Sequence, residues 1–214
     1  MSETALRFPP DYREVCTLED GTEIRLRLLR SEDRDALVAG FQELSAESRY
    51  RRFFSAMPRL PENVLHDLLD TDGWNHLAIV AFTAGDGHGV AIGRFIRIDK
   101  EPEVAEAAVA VVDAMQGRGL GKLLLTLLAS AAYERGIRKF RAQVLTDNDA
   151  MVALLHELDR KAQPAIDGPV ATYELDLPEP ADEGFMTGPL FDMLRAAGRG
   201  LEVMLERLQH FPRY

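Results

Sequence analysis

Residues 106–122 read EAAVAVVDAMQGRGLGK: a strand, a glycine loop and a helix start in immediate succession. Ala107 to Val112 are small and apolar, as in a buried strand. A short turn leads to Gln116-Gly117-Arg118-Gly119-Leu120-Gly121, and Lys122 opens the helix-like run KLLLTLLASAAYERG. Three glycines at alternate positions remove the Cβ atoms that would hold a ligand off the backbone. They also allow positive φ, so that consecutive N–H groups can converge on an anion. A helix beginning near Leu120 adds unsatisfied N–H donors and the positive end of its dipole. A phosphate or pyrophosphate suits such a cradle; for the glycines taken alone, a flexible turn is the alternative.

The pattern is not the dinucleotide fingerprint, in which Gly-x-Gly-x-x-Gly follows an early strand and an acidic residue comes about 20 residues later. Nor is it a P-loop, since no Gly-Lys-Ser/Thr follows four spacer residues. Downstream, Gly136 stops the helix, and Phe140 to Leu145 reads as a buried strand. Asp147 or Asn148 then caps a helix with Met151, Leu154, Leu155 and Leu158 on its apolar side. Strand, helix, strand predicts a right-handed crossover that makes Val109 and Val144 parallel neighbours. A last strand covers Ala171 to Leu177. Upstream, Trp74–Ala84, Val90–Asp99 and Val104–Asp113 read as an antiparallel meander, the first two joined by Gly85-Asp86-Gly87-His88-Gly89. Glu23 to Arg30 alternates Ile24, Leu26 and Leu28 with Arg25 and Arg27, a half-buried strand. Between these strands, Ser31, Ser45 and Pro61 each begin a helix.

Gln116 to Gly121 resembles the Gln/Arg-x-x-Gly-x-Gly/Ala signature of the GNAT acyltransferase superfamily, whose loop binds the pyrophosphate of acetyl-CoA. Asn148 falls where that family has an Asn near the cofactor. More closely, SAESRYRRFF (Ser45–Phe54), Arg59-Leu60-Pro61, Ala105-Glu106 and Thr146-Asp147-Asn148 are similar to the acetyltransferase domain of bacterial protein lysine acetyltransferases. The resemblance spans roughly residues 20–178. It implies an α/β (α+β) GNAT fold, a mixed and mostly antiparallel central sheet of six to seven strands flanked by helices; beyond its reach, the apolar spacing of the last residues predicts a C-terminal helical extension. Residues 1–20 are then an N-terminal arm or edge strand, 21–178 the acetyltransferase domain, and 179–214 a linker and amphipathic helix. Leu190, Leu194, Leu201 and Leu208 share a face of that helix, which packs back on the domain or makes a homodimer contact. Larger members of this branch carry a nucleotide-binding or acyl-CoA-synthetase-like domain. A chain of 214 residues has no room for one, so control by such a domain is expected to be absent from this polypeptide.

Composition narrows the setting. Hydrophobic residues make up 46% and charged residues 28%, as in an ordinary soluble protein. The single cysteine, Cys16, has no internal disulfide partner, and the N-terminus has neither the basic start nor the apolar core of a signal peptide; a cytoplasmic location is expected. No apolar run is long enough to span a bilayer. A formal charge of −10 argues against nucleic acid as a partner, since phosphate backbones are held by clustered Lys and Arg. No metal site is expected, because His66, His76, His88, His156 and His210 lack ligand spacing.

Acyl transfer to an amine needs the amine neutral, and a lysine of pKa about 10.4 is only roughly 0.04% neutral at pH 7, equivalent to about 4.6 kcal/mol. A positioned base matters. Glu106 is the candidate, a lone carboxylate among alanines and valines whose pKa burial would raise. The resemblance agrees, implying a general-base Glu at this point. A backbone N–H at Val111 or Val112 is the candidate donor to the oxyanion. The resemblance also implies that Gln116, Gly117, Arg118, Gly119, Leu120, Gly121, Lys122 and Asn148 hold acetyl-CoA. The family's tyrosine general acid falls at Leu155 here, leaving His156 beside it as the nearest proton donor. In ESRYRRFF, Tyr50, Phe53 and Phe54 read as core with Arg49, Arg51 and Arg52 solvated, or else as a wall of the substrate region. The activity implied is acetyl-CoA-dependent N-acetylation of a protein lysine such as one on an acyl-CoA synthetase, by direct attack in a ternary complex. Acetylation of a small amine and a non-catalytic acyl-CoA-binding module are the alternatives.

Overall fold

A computed structural model describes residues 6–179. The expected helix and dimer contact at 190–208 lie outside the described residues. The chain forms β1 (Arg13–Thr17), β2 (Glu23–Leu28), α1 (Arg34–Gln42), α2 (Ala46–Phe53), α3 (Glu62–Leu69), β3 (His76–Thr83), β4 (Gly89–Ile98) and β5 (Glu101–Val111). It continues with α4 (Leu120–Tyr133), β6 (Lys139–Leu145), α5 (Asp149–Leu158), β7 (Pro164–Asp167) and β8 (Val170–Asp176). These strands make one sheet of eight in the order β1-β2-β3-β4-β5-β6-β8-β7. Every pairing is antiparallel except β5 with β6.

The fold class is the one the sequence implies, with one strand more than the six to seven expected. The extra hairpin partner is β7, only four residues long and mostly exposed, too short to carry an alternating pattern. Of the two readings of residues 1–20, an edge strand is the one found at Arg13–Thr17, and Phe8 ahead of it is fully buried. β3 begins at His76 rather than Trp74 because the Asp72 carboxylate gathers the N–H groups of Trp74, Asn75 and His76 at 2.8, 2.7 and 2.9 Å, holding them in a turn.

α4 covers one face of the sheet. Leu124, Leu127 and Leu128, all fully buried, meet Phe95, Ala105 and Phe140 in the main core. Gly93 of β4 lets this helix approach: a Cβ there would lie 2.7 Å from Leu128 Cδ1. The opposite face carries a smaller cluster of Leu29, Ala78 and Val80 against Leu37 of α1 and Leu69 of α3.

The crossover is present, but Val109 and Val144 are not paired. β5 and β6 are in register only at Val104 with Lys139, Ala105 with Phe140 and Glu106 with Arg141. Past Glu106 the two strands part, and the parallel pairing expected at the sheet centre is replaced by a gap.

Candidate active site

The gap between β5 and β6 is a cavity of about 560 Å³. Val109, Ala110 and Val111 form one wall and Ala142, Gln143 and Val144 the other. The glycine loop and the first turn of α4 close one end, α5 flanks it, and Glu106 stands where the strands part. Of the residues singled out by sequence, Glu106, Val111, Gln116, Gly117, Gly119, Gly121, Lys122 and Asn148 all line this space.

Gly117 and Gly119 have φ of 72° and 82°, a conformation that other L-residues adopt only at a cost. Gly119 is the N-cap of α4, and the first helical bond runs from Leu123 N to Gly119 O at 3.0 Å. The N–H groups of Leu120, Gly121 and Lys122 therefore have no acceptor within the helix. They form a donor cluster at the positive end of a 14-residue helix, which fits a pyrophosphate. Gly121 packs its open side toward Leu154 of α5. Lys122 bridges to Glu157 of α5 at 2.6 Å across the cavity rim. Asn148 caps α5, its Oδ1 accepting from Met151 N at 3.3 Å, which leaves its amide N–H groups for the cavity.

Gln116 does more than its place in the motif suggests. Its Nε2 donates to Val111 O at 3.0 Å and Ser48 Oγ at 3.2 Å, so it fixes the end of β5 and joins α2 to the loop. Asp113 reinforces that joint by accepting from Ser45 N at 2.8 Å and Ser48 Oγ at 3.0 Å. Burial works against the Asp113 carboxylate, but these hydrogen bonds outweigh it and hold its pKa below the ordinary value.

Three expected ligands do not reach the cavity with their side chains. Arg118 pairs with Asp20 at 2.8 Å, and Leu120 is a core residue that can offer only its N–H. Val112 N donates to Val90 O at 3.0 Å, so its N–H is consumed by the sheet ladder and cannot serve an oxyanion. That bond sets the phase of the ladder. In an antiparallel pair successive residues point their N–H groups to opposite sides, so those of Val109 and Val111 face away from β4, into the gap. Val111 stays a candidate donor, and Val109 joins it.

Glu106 is exposed rather than desolvated, so the burial argument for it does not hold. The opening of β5 from β6 exposes it. Its cross-strand neighbour Arg141 is occupied by Glu101 at 2.9 Å and Glu174 at 2.6 Å, leaving Glu106 outside any ion pair among the described residues. His156 is no proton donor here: it packs edge-on against Tyr173, with centroids 5.6 Å apart, and does not line the cavity. Nor does Cys16, whose thiol burial and then Glu14 push up to about 12. Among the described residues no group of three His, Cys, Asp or Glu side chains could hold a metal ion, and no helix is long and apolar enough to cross a membrane.

The reading of ESRYRRFF as apolar core with solvated arginines is corrected. Tyr50 is 46% exposed and Phe54 lies at the cavity, whereas Arg49 donates to the carbonyls of Phe41, Gln42 and Pro58. Arg52 lines the cavity, as does Arg94 of β4, which sequence reasoning passed over. Its signal was a charge on the face that Ile92 and Ile96 otherwise make apolar.

The profile of the family described as Acetyltransferase (GNAT) family matches residues 39–159. The acetyltransferase Pat of Mycolicibacterium smegmatis is 35% identical over 175 residues, covering 81% of this chain and 51% of that protein. The chain thus spans about half the length of this relative. Acetyltransferase PA5475 of Pseudomonas aeruginosa is 32% identical over 139 residues, 64% of this chain and 74% of that protein. The crystal structure of the GNAT domain of S. lividans PAT superposes with a TM-score of 0.70 at 33% identity, covering 77% of this chain and 97% of that domain.

Proposed function

The chain belongs to the GNAT acetyltransferase family, and on that premise we propose that it transfers the acetyl group of acetyl-CoA to the ε-amine of a protein lysine, in a single ternary complex. The observation that carries this reading is the cavity itself. One continuous space holds a pyrophosphate cradle at the start of α4, a free strand edge along Val109–Val111, and a solvent-facing carboxylate, Glu106, beyond that edge.

In this reading the cradle binds the pyrophosphate, and the pantetheine runs along the edge of β5. Glu106 removes a proton from the incoming ammonium, directly or through a water. The freed amine attacks the thioester carbonyl, and the N–H of Val111 or Val109 stabilises the oxyanion. The attached nitrogen gives up its second proton to water, the C–S bond breaks and CoA leaves as a thiolate. Among the described residues no His, Tyr or Cys lines the cavity to protonate it, and a thiol of pKa about 8.5 can depart without one. The exposure of Glu106 favours an amine delivered on a long side chain from another macromolecule over a small amine enclosed in a pocket. A cytoplasmic setting, in which Cys16 stays a free thiol, belongs to the same proposal.

The test is incubation of purified protein with acetyl-CoA and either candidate proteins, acyl-CoA synthetases among them, or a panel of free amines, following CoA release and mapping acetyl-lysine. Acetyl-lysine on protein is the expected result. Turnover confined to free amines would overturn the lysine assignment, and CoA binding without turnover on any acceptor would leave an acyl-CoA-binding module.

A further inference from the structure

Among the described residues five cationic side chains line the cavity, and three are already neutralised. Arg51 pairs with Glu47 at 2.6 Å, Lys122 with Glu157, and Arg141 with Glu101 and Glu174. Arg52 and Arg94 have no carboxylate within ion-pair distance among the described residues. Arg52 lies over the ring of Phe53 at 4.9 Å, and Nη1 of Arg94 is buried without any hydrogen-bond partner. A buried guanidinium nitrogen left unsatisfied is costly, and the charge of Arg52, close enough to interact with Arg94, adds to that cost. Desolvation, and then the charge of Arg94, lower the Arg52 pKa to about 10; desolvation lowers that of Arg94 despite the charges of Asp67 and Glu106.

Their position is specific. Arg94 is registered with Ala108 and Ile96 with Glu106, so Arg94 and Glu106 are diagonal neighbours on one face of the β4–β5 pair. Arg52 lies one helical turn past Ser48, which marks the loop end through Gln116. Arg94 is therefore beside Glu106, and Arg52 is close enough to Arg94 for its charge to be felt, which groups the two arginines with the carboxylate assigned to the acceptor. Among the described residues Glu106 lines the cavity beside them and Asp67 acts on Arg94 from outside it, yet neither carboxylate forms an ion pair with either guanidinium.

We propose that Arg52 and Arg94 form a carboxylate-binding subsite beside Glu106, so that the preferred acceptor carries a carboxylate close to its reacting amine. This rests on the acetyl-transfer reading above. The carboxylate comes either from an acidic residue flanking an acceptor lysine or from a free amino acid, and the chemistry of recognition is the same.

Two matched pairs of acceptors test it: a lysine peptide amide with Glu or with Gln beside the lysine, and Nα-acetyl-lysine or its neutral amide. The acidic member of at least one pair should be favoured about tenfold or more in kcat/KM, mostly through KM. In Arg52→Gln and Arg94→Gln that ratio should fall toward one, and Arg94→Lys should restore part of it. Preference in the peptide pair alone assigns the carboxylate to a flanking residue; preference in the small pair assigns it to a free amino acid. Fluorescence anisotropy of labelled peptides on CoA-saturated protein reads the same preference without turnover. Preference in binding with no turnover sinks the acetyl-transfer reading and keeps the subsite. Turnover with equal use of acid and neutral forms, or equal affinities where nothing turns over, overturns the subsite. So does a loss of CoA affinity in either Gln variant whose melting temperature is unchanged, since the arginines would then serve the cosubstrate.

Discussion

Glu106 can act as a base only if its carboxylate reaches the ammonium, and its exposed position gives it that access. Its contribution then comes from placement at the mouth of the gap. Glu106→Gln keeps the shape and removes the basicity, so kcat/KM for any amine should fall about a hundredfold or more while CoA affinity holds. Steady-state kinetics with equilibrium CoA binding measures both, and retained turnover would remove Glu106 from the mechanism. Gly119 poses a second question at this scale, because it caps α4 at φ 82°. Gly119→Ala forces a Cβ into the left-handed region at about 1–2 kcal/mol. The same change tilts the N–H groups that follow. Both a lower unfolding midpoint and a weaker CoA affinity are expected, and a drop in stability alone would mean that the cradle tolerates the change.

Elements are held around the gap by a few side-chain joints, and these decided which parts were legible beforehand. The strand, loop and helix of residues 106–122 were readable because periodicity, glycine placement and helix-start chemistry are local. Ser45 and Asn148 were readable as caps for the same reason, and both are caps. The occupied N–H of Val112, the buried Nη1 of Arg94 and the ion pairs around Arg141 were not, since each depends on a partner from a remote segment. The Asp113 joint to α2 is of this kind and carries a pH signature. Its pKa is depressed in the folded protein, so its stabilisation is complete above the ordinary carboxylate value of about 3.9 and is lost as the pH falls through the folded value. The stability gap between wild type and Asp113→Asn should thus be constant above about pH 5 and close in acid, as read by denaturant unfolding across pH. The contact of β4 with α4 gives a packing test: Gly93→Ala should cost about 1–3 kcal/mol, because Leu128 is fully buried and has little room to yield.

At the scale of the whole molecule, the sheet is two unequal parts. β1 to β5 form a continuous antiparallel run, and β6, β8 and β7 form a second; three registered residue pairs join them directly. α4 and α5 complete the junction by packing over it, with Lys122 and Glu157 bridging the rim. The sequence pattern announced a parallel crossover there, but buried apolar strands look alike whether they pair fully or splay, so the gap stayed invisible until the register was known. A ligand that fills this space touches both parts and should couple them. Saturation with CoA at about a hundred times Kd should raise the unfolding free energy by about 2.7 kcal/mol. Hydrogen exchange read by mass spectrometry should slow first at Leu120, Gly121 and Lys122, where the orphan donors gain an acceptor. It should slow too at Val109 and Val111 along the free edge, and at Ala142 to Val144 on the opposite wall, since that wall closes on the same ligand. Slowing confined to residues 116–123 would mean that the loop holds CoA alone, and the gap between β5 and β6 would not be its seat.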